Sequence, residues 1–398
     1  VLSLDIGGTS ADVAIIVGGT PTYGTGEMVG DFPIYIPTVS VTSIGDGGGS
    51  IAAVSEFGVL TVGPESAGST PGPACYGRGG TRPTMTDAFA VCGIIGHGNI
   101  GYDAVSVDID KARSAVGTIA GRLGRGPEQA AEAIIQVAVS GMYREVGKLA
   151  SRQGIDPRDY TLLAFGGAGP MLGCFLAREL GMRQVLIPTA PGVLSALGGL
   201  VADVKNDFIS TAYYPLSAAE LPRLKADFDG LARRATAWIT KEQKFAGHTV
   251  LQPAADMRYL GQSFEIEVPL QMEWIAGGDV ERIAAAFHAE HERLYGHAAP
   301  STPVHVVSLR LVVVGTSPQP NFPAQPRRSD MPTPAKQVEV YLDGAWRSVP
   351  LYRRADVGHG HMLASPCVVA QEDTTICIPE GFTGAVDSYG NILLSLAK

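Results

Sequence analysis

Short apolar runs alternate with glycine-rich punctuation along the first two hundred residues. Val1-Leu2-Ser3-Leu4-Asp5-Ile6 and Asp12-Val13-Ala14-Ile15-Ile16-Val17 read as two strands, joined by Gly7-Gly8-Thr9-Ser10 into a hairpin with a loop of several residues. Farther along, Ala131, Ile134, Ile135, Ala138, Met142, Val146 and Leu149 recur at i, i+3, i+4 spacing behind Pro127, which predicts a long helix ending before Gly154 and Pro157. A strand over Tyr160–Phe165, the turn Gly166-Gly167-Ala168-Gly169-Pro170, a helix over Met171–Leu180 and a strand over Gln184–Ile187 follow. Strand and helix alternating through short connections predict an α/β layered domain over residues 1–205.

The pattern then changes. Leu221–Lys244 and Asp279–Tyr295 are charged amphipathic stretches, and between them Asp256–Val268 shows partial alternation, so 206–317 reads as an α+β domain. Six prolines between Pro318 and Pro334, with Arg327-Arg328 beside them, predict an extended linker over 318–335. Short strands such as Val338–Leu342 and Thr374–Ile378, with an Asp343-Gly344 turn, make 336–398 a small β-rich C-terminal region.

Composition narrows the class. Hydrophobic residues at 45% against 17% charged supply real cores and exclude a disordered chain. Thirty basic and 39 acidic residues give a net charge of −9, which argues against a nucleic-acid surface. Five scattered cysteines with no C-x-x-C pair read as reduced thiols of a cytoplasmic protein. No apolar run reaches the ~18 residues of a membrane span, and no secretory signal opens the chain. The first residue is Val1, inside a predicted strand, so the chain reads as a piece of a longer polypeptide.

Fifty glycines are the outlier, and two clusters of them bear on chemistry. In Asp5-Ile6-Gly7-Gly8-Thr9-Ser10-Ala11-Asp12 the glycines let backbone approach an anion, successive N–H groups suit phosphate oxygens, and Thr9 and Ser10 add hydroxyls. Asp5 at its strand end suits a hydrated Mg²⁺. The same residues also suit a plain hairpin whose acids cap the turn, and spacing alone does not choose. Phe165-Gly166-Gly167-Ala168-Gly169-Pro170 leads from a strand into a helix, where a flat group can lie on backbone and the helix start favours negative charge. Alone, it reads as a strand-to-helix turn. Neither a P-loop nor a complete G-x-G-x-x-G is present.

Together the two motifs resemble the phosphate and adenosine motifs of the sugar kinase, heat-shock ATPase and actin superfamily. More narrowly, the chain resembles the hydantoinase A and 5-oxoprolinase family, of the ATP-dependent N-methylhydantoinase type. Gly45-Asp46-Gly47-Gly48-Gly49-Ser50-Ile51, Val62–Gly68, Pro71–Gly77, Thr84–Ala88 and Ala190–Gly198 carry the resemblance in the first half; Asp256–Gln262, Glu292–His297 and Asp387–Asn391 carry it in the second. It implies a ribonuclease-H-like (actin-like ATPase) first domain and ATP-dependent opening of a cyclic amide such as a hydantoin or 5-oxoproline. Related members serve ATP-dependent ketone carboxylases, which is the alternative activity. A non-catalytic fragment that docks a partner subunit is the third reading.

The resemblance also implies roles. Asp5 would orient Mg²⁺ and water, with Asp12 and Asp46 as further candidate catalytic acids. Gly7, Gly8, Thr9 and Ser10 would hold the terminal phosphates of ATP, while Gly166, Gly167 and Pro170 would lie against its adenosine. Gly47 and Gly48 fall at the same cleft. A preceding domain with a second Asp-x-Gly-Gly-Thr motif is expected to complete it, and a hydantoinase B-type subunit is the expected partner. Many members carry a histidine just after Gly-Gly-Ala-Gly-Pro, where this chain has Met171-Leu172-Gly173.

Other candidates carry less. His288, His291 and His297 lack zinc-protease spacing and read as a solvated helix face. His359-Gly360-His361 is a weak metal pair, and Cys75 reads as packing. Asp87 reads as a cap or turn acid, whereas for Asp46 a turn role and a metal or water contact stand close together.

Overall fold

A computed structural model describes residues 1–24, 27–29, 32–34, 38–98, 101 and 104–397. The chain forms two compact units, one of Val1–Leu197 with Phe322–Lys398, the other of Gly198–Asn321.

The first unit is built on strands β1 (Leu2–Ile6), β2 (Ala11–Val17) and β3 (Val41–Ile44). β1 and β2 pair antiparallel with Asp5 opposite Asp12, and β3 extends β2 with Ser43 opposite Asp12. A second ribbon, β4 (Ser50–Val54) with β5 (Leu60–Ser66), leads to helices α1 (Met85–Val91), α2 (Ile109–Leu123) and α3 (Pro127–Gln153). The α3 bounds follow the expected signals, with Pro127 in the first turn and left-handed Gly154 closing the end. Then come β6 (Leu162–Phe165), α4 (Gly169–Leu180), β7 (Gln184–Ile187) and the short α5 (Leu194–Val201). β1, β6 and β7 run parallel as neighbours, so their carboxyl ends and the start of β2 share one edge. Apolar positions of β1 and β6 (Leu2, Leu4, Ile6, Leu162, Ala164) and of α3 and α4 (Ile134, Met142, Leu172, Leu176) are buried in one core.

The second unit is an antiparallel sheet backed by helices. Its elements are β8 (Val204–Pro215), α6 (Leu221–Ala237), β9 (Thr249–Tyr259), β10 (Ile266–Pro269), α7 (Met272–Gly277), α8 (Val280–Tyr295) and β11 (Val304–Gly315), with strand order β8-β11-β9-β10. Phe228, Phe287, Met257 and Leu311 lie at the centre of its core. The partly alternating stretch at 256–268 is a turn between two antiparallel strands rather than one strand.

The last residues return to the first unit. β12 (Lys336–Leu342), β13 (Ala345–Arg353), β15 (Cys367–Ala370) and β16 (Thr375–Ile378) make a four-stranded sheet, while β14 (Met362–Ala364), β17 (Phe382–Val386) and β18 (Ile392–Leu396) extend the large sheet through antiparallel pairing of β18 with β7. The stretch set apart in sequence as 336–398 thus completes the first core: Ile376, Cys377, Phe382 and Leu394 are buried in it. The proline-rich stretch is pinned rather than free. Gln325 N–H donates to the Ser388 carbonyl at 2.6 Å, and Arg328 N–H donates to the His359 carbonyl at 2.9 Å. Among the described residues, no helix is long and apolar enough to cross a membrane.

Candidate functional site

Loops in open α/β sheets gather at the carboxyl ends of parallel strands, and both glycine motifs leave the sheet there, after β1 and after β6. They touch. Ala168 N–H donates to the Ile6 carbonyl at 2.9 Å, and a Cβ placed on Gly166 would fall 2.5 Å from that oxygen and closer still to Asp5 Oδ1. Gly166 has φ +81°, so only glycine both adopts this turn and leaves room for the Asp5 carboxylate.

Asp5, Asp12 and Ser43 occupy directly opposed positions on three adjacent strands, so they share one face. Opposed Cβ atoms on such a face lie roughly 4.5–5.5 Å apart, and two like charges placed so disfavour each other. Each carboxylate is met by a hydroxyl: Ser195 Oγ, at the start of α5, donates to Asp5 Oδ2 at 2.5 Å, and Ser43 Oγ donates to Asp12 Oδ1. Ser195 lies in the family-like segment Ala190–Gly198, but nothing local in Leu194-Ser195-Ala196 marks its role, because its partner stands 190 positions away.

Between these acids stands the loop over Gly7–Ser10. Gly7 N–H closes the turn onto the Ser10 carbonyl at 3.0 Å. Gly8 and Thr9 are exposed, and among the described residues their N–H groups meet no acceptor. Gly167 is likewise exposed, with an uncommitted N–H and open space where a side chain would stand, just before the first turn of α4. Three free donors at one sheet edge beside two carboxylates make an arrangement that suits a phosphorylated ligand with its cation.

Five of the residues expected to touch a ligand do something else, the first being Gly166, which is buried against Asp5 and Ile6. Gly47 and Gly48 are buried behind the loop, not open to the cleft. Gly48 N–H donates to the Gly7 carbonyl at 2.9 Å and Gly49 N–H to the Gly8 carbonyl at 2.5 Å, while a Cβ on Gly47 would fall 2.6 Å from Thr9 backbone. They buttress the Gly7–Ser10 loop by close backbone packing. Pro170 is also buried, within the first turn of α4. The Asp46 carboxylate lies against Gly63 and Gly141, where α3 has no side chain to obstruct it. Burial raises its pKa, the nearby Arg144 lowers it and Glu145 raises it. This neighbourhood is that of α3 and β5.

Asp87 is structural. Fully buried at the third position of α1, its carboxylate accepts from the N–H groups of Ala74 (3.2 Å), Cys75 (2.7 Å) and Thr84 (2.9 Å) and from Thr84 Oγ1 (2.7 Å). Cys75 beside it is buried, and desolvation with the nearby Asp87 pushes its thiol well above the usual range, which removes it as a nucleophile.

The histidines also resolve. His291 is not on a solvated face: it is 1% exposed, donating from Nδ1 to the His297 carbonyl at 2.8 Å and accepting at Nε2 from the Gln262 amide at 2.9 Å. Tyr259 Oη bonds His288 Nδ1 at 2.8 Å and accepts from Ala299 N–H at 2.7 Å. The segments Asp256–Gln262 and Glu292–His297 therefore meet in one satisfied network inside the second unit. Of the other pair, His361 is buried facing Asp330 and His359 bonds the Gln325 carbonyl, so neither is set up as a shared ligand. Among the described residues, no three or more His, Cys, Asp or Glu side chains cluster to hold a metal. An ion at Asp5 and Asp12 would therefore rest on two carboxylates and water, the ligand set Mg²⁺ accepts.

Comparison with known proteins places these features. Residues 1–208 match the hydantoinase/oxoprolinase family model, and residues 216–396 match the hydantoinase/oxoprolinase C-terminal domain. Caprolactamase subunit alpha of Pseudomonas jessenii is 31% identical over 396 residues, covering 97% of this chain and 57% of that protein. The 5-oxoprolinase 1 of Arabidopsis thaliana is 27% identical over 416 residues, covering 99% of this chain and 32% of that protein. The nucleotide-free structure of acetone carboxylase, solved for the mechanism of ATP-dependent acetone carboxylation, superposes with a TM-score of 0.86 at 25% identity, covering all of this chain and 58% of that one. The chain thus spans less than two thirds of each of these relatives.

Proposed function

The chain belongs to the hydantoinase/oxoprolinase family, and on that premise we propose that it forms one wall of the ATP site of an enzyme that opens a cyclic amide. The observation that carries this reading is the meeting, at one sheet edge, of the exposed donors Gly8, Thr9 and Gly167 with the opposed carboxylates Asp5 and Asp12. Lactams are what caprolactamase and 5-oxoprolinase are named for.

An amide carbonyl is a poor electrophile, and its nitrogen a poor leaving group. Moving the γ-phosphoryl of ATP onto the amide oxygen gives an imidate phosphate, which water attacks at carbon. ADP has left at the transfer; the ring nitrogen now takes a proton and departs, giving an acyl phosphate, and a second water attacks its carbonyl carbon and displaces phosphate, leaving the ring-opened acid. In such a transfer the protein's share is positioning and charge stabilisation rather than covalent chemistry. Here the N–H groups of Gly8 and Thr9 would meet phosphate oxygens, with the hydroxyls of Thr9 and Ser10 beside them. Gly167 would lie against the nucleoside. Asp5 and Asp12 would hold a hydrated Mg²⁺, which neutralises charge on the moving phosphoryl group. Ser195 and Ser43 fix the two carboxylates in orientation.

The rest of the cleft is proposed to come from a preceding domain with its own phosphate loop, and hydrolysis from work with a hydantoinase B-type subunit. The designation of the caprolactamase relative as a subunit alpha supports the work with a partner subunit. A cleft with one wall excludes water and fixes the γ-phosphate poorly, so this chain alone is expected to bind ATP weakly and turn over no cyclic amide. Five free thiols support a cytoplasmic setting.

The likeness to acetone carboxylase favours one second reading, a nucleotide-binding subunit that phosphorylates a ketone enolate or bicarbonate. The test is phosphate release by the full-length protein with its partner subunit, offered caprolactam, 5-oxoproline, a hydantoin, or acetone with bicarbonate. With ¹⁸O in the lactam carbonyl, label in the released phosphate supports the proposal. Phosphate release only with ketone and bicarbonate overturns it in favour of the carboxylase.

A further inference from the structure

The turn between β15 and β16, Gln371–Thr374, has no part in the site described so far, yet three of its side chains reach the backbone around the glycine shelf. Gln371 N–H closes the turn onto the Thr374 carbonyl at 3.0 Å. From there Thr374 Oγ1 donates to the Gly167 carbonyl at 2.8 Å, Asp373 Oδ2 accepts the Gly192 N–H at 2.7 Å, and Gln371 Nε2 donates to the Thr189 carbonyl at 2.8 Å. The fit at Gly192 is close, since a Cβ there would fall 2.7 Å from the Asp373 side chain. The Asp387–Asn391 segment adds a second hold on the same loop: Thr189 Oγ1 donates to the Tyr389 carbonyl at 2.9 Å. Thr374 is 4% exposed, and the other acceptor near its hydroxyl, the Thr375 carbonyl, stands at 3.5 Å, so the proton goes to Gly167.

Consecutive glycines have the most backbone freedom to lose on ordering, and Gly166 and Gly167 have no side chains of their own to fix them. The direction of the Gly167 N–H therefore depends on what holds the peptides on either side. The peptide entering the pair is held by Gly166 N–H donating to the Pro191 carbonyl at 2.9 Å, and Pro191 precedes the Gly192 that Asp373 holds. The peptide leaving it is held from both sides, its Gly167 carbonyl by Thr374 and its Ala168 N–H by the Ile6 carbonyl at 2.9 Å. Between these two stands the peptide that carries the exposed, uncommitted Gly167 N–H. We propose that Thr374 is a positioning residue for the nucleotide: with Asp373 it holds the glycine shelf in its binding shape before the ligand arrives, so that binding does not bear the cost of ordering two glycines. The proposal rests on the assignment of Gly167 to the nucleoside made above, and gives the turn at 371–374 a part in that site. Neither side chain touches the reacting atoms.

Calorimetric titration of the full-length protein with the β,γ-imido analogue of ATP and Mg²⁺ tests this, with amide hydrogen exchange of the ligand-free protein beside it. Thr374→Val keeps the shape and deletes the hydroxyl, and should weaken the analogue about fivefold to tenfold. Thr374→Ser restores the donor and should bind within about twofold of wild type. In the ligand-free Thr374→Val protein the Gly166 and Ala168 amides should exchange about fivefold faster, and in Thr374→Ser at the wild-type rate. Asp373 is only half-buried, so Asp373→Ala, expected to weaken the analogue about fivefold, carries the test where Thr374→Val fails to fold. Affinity within about twofold of wild type in folded Thr374→Val, or in Asp373→Ala where that variant does not fold, overturns the proposal and leaves the nucleotide site standing. Equal losses in Thr374→Val and Thr374→Ser also overturn it, because the hydroxyl would then not be what holds the shelf. A wild-type protein that binds no analogue at roughly millimolar concentration refutes the nucleotide site itself, and this proposal with it.

Discussion

Substituting Gly166 and Gly167 separately distinguish the turn's architecture from its use. At Gly166, alanine must adopt φ +81°, which costs a non-glycine residue ~1–2 kcal/mol. Its methyl must also displace the Asp5 carboxylate and the Ile6 carbonyl, the latter 2.5 Å from the ideal Cβ position. Overpacking of that kind adds ~1–3 kcal/mol, for a total of about 2–5 kcal/mol. At ~2–4 °C per kcal/mol for a domain of this size, Tm should fall by about 4–20 °C. At Gly167 nothing stands within 4 Å of the added methyl, and φ is not left-handed, so Gly167→Ala should leave Tm unchanged or slightly raised. Yet the methyl stands where a ligand would lie on backbone. In the full-length protein, Gly167→Ala is expected to weaken binding of a non-hydrolysable ATP analogue, measured by calorimetry beside thermal melts of both variants. A Gly166→Ala protein with wild-type Tm would refute the packing argument, and a Gly167→Ala protein with wild-type nucleotide affinity would refute the shelf.

Asp5→Asn should abolish nucleotide-dependent turnover of the full-length protein while changing Tm little, since it removes a partly exposed carboxylate and keeps the shape that Ser195 bonds; assays of phosphate release and melting check both. Asp87→Ala should cost about 4 kcal/mol or more in urea unfolding, because three backbone N–H groups and a hydroxyl lose their buried acceptor. Asp46 has a raised pKa in the fold, so its charged form opposes folding above the usual carboxylate range and the penalty lifts on acidification. Asp46→Asn should therefore equal or modestly exceed wild-type stability at pH 7, with any gain vanishing near pH 4, as urea titrations at both pH values would show. Burial pushes the thiols of Cys367 and Cys377 up to about 12, and Cys75, Cys92 and Cys174 upward as well. A thiol reagent at pH 8 should thus find no fast-reacting cysteine until the chain is unfolded.

Elements with local signals were legible. The α3 periodicity between Pro127 and Gly154, the β6-turn-α4 passage and β7 lie within a residue or two of where patterning puts them. The long strands β8 and β11 were missed because each carries polar residues on one face and is fixed by pairing with a partner about 100 positions away, as Asp207 with Val312. The closing role of β18 was invisible for the same reason, its partner β7 lying some 200 positions earlier. At the candidate site, the sequence indicated which loops carry glycines but not which way they face. Gly8 and Gly167 are exposed, whereas Gly48 and Gly166 serve backbone packing, a difference set by the loop folded over them rather than by their neighbours in sequence. The burial of His291 is not legible locally because a charged helical surround, Glu290 and Glu292, reads as solvent-facing, while the Tyr259 ring at the end of β9 and Gln262 in the turn after it enclose the imidazole.

The central claim is that the edge formed by Gly8, Thr9 and Gly167 beside Asp5 and Asp12 holds Mg²⁺ and ATP. A crystal structure of the full-length protein with Mg²⁺ and a non-hydrolysable ATP analogue tests it most directly. The account predicts phosphate oxygens within hydrogen-bond distance of the Gly8 and Thr9 N–H groups, the nucleoside against Gly167, and Mg²⁺ on the Asp5 side of the phosphates. A nucleotide seated elsewhere, or one held wholly by another domain with the Gly7–Ser10 loop empty, would contradict it.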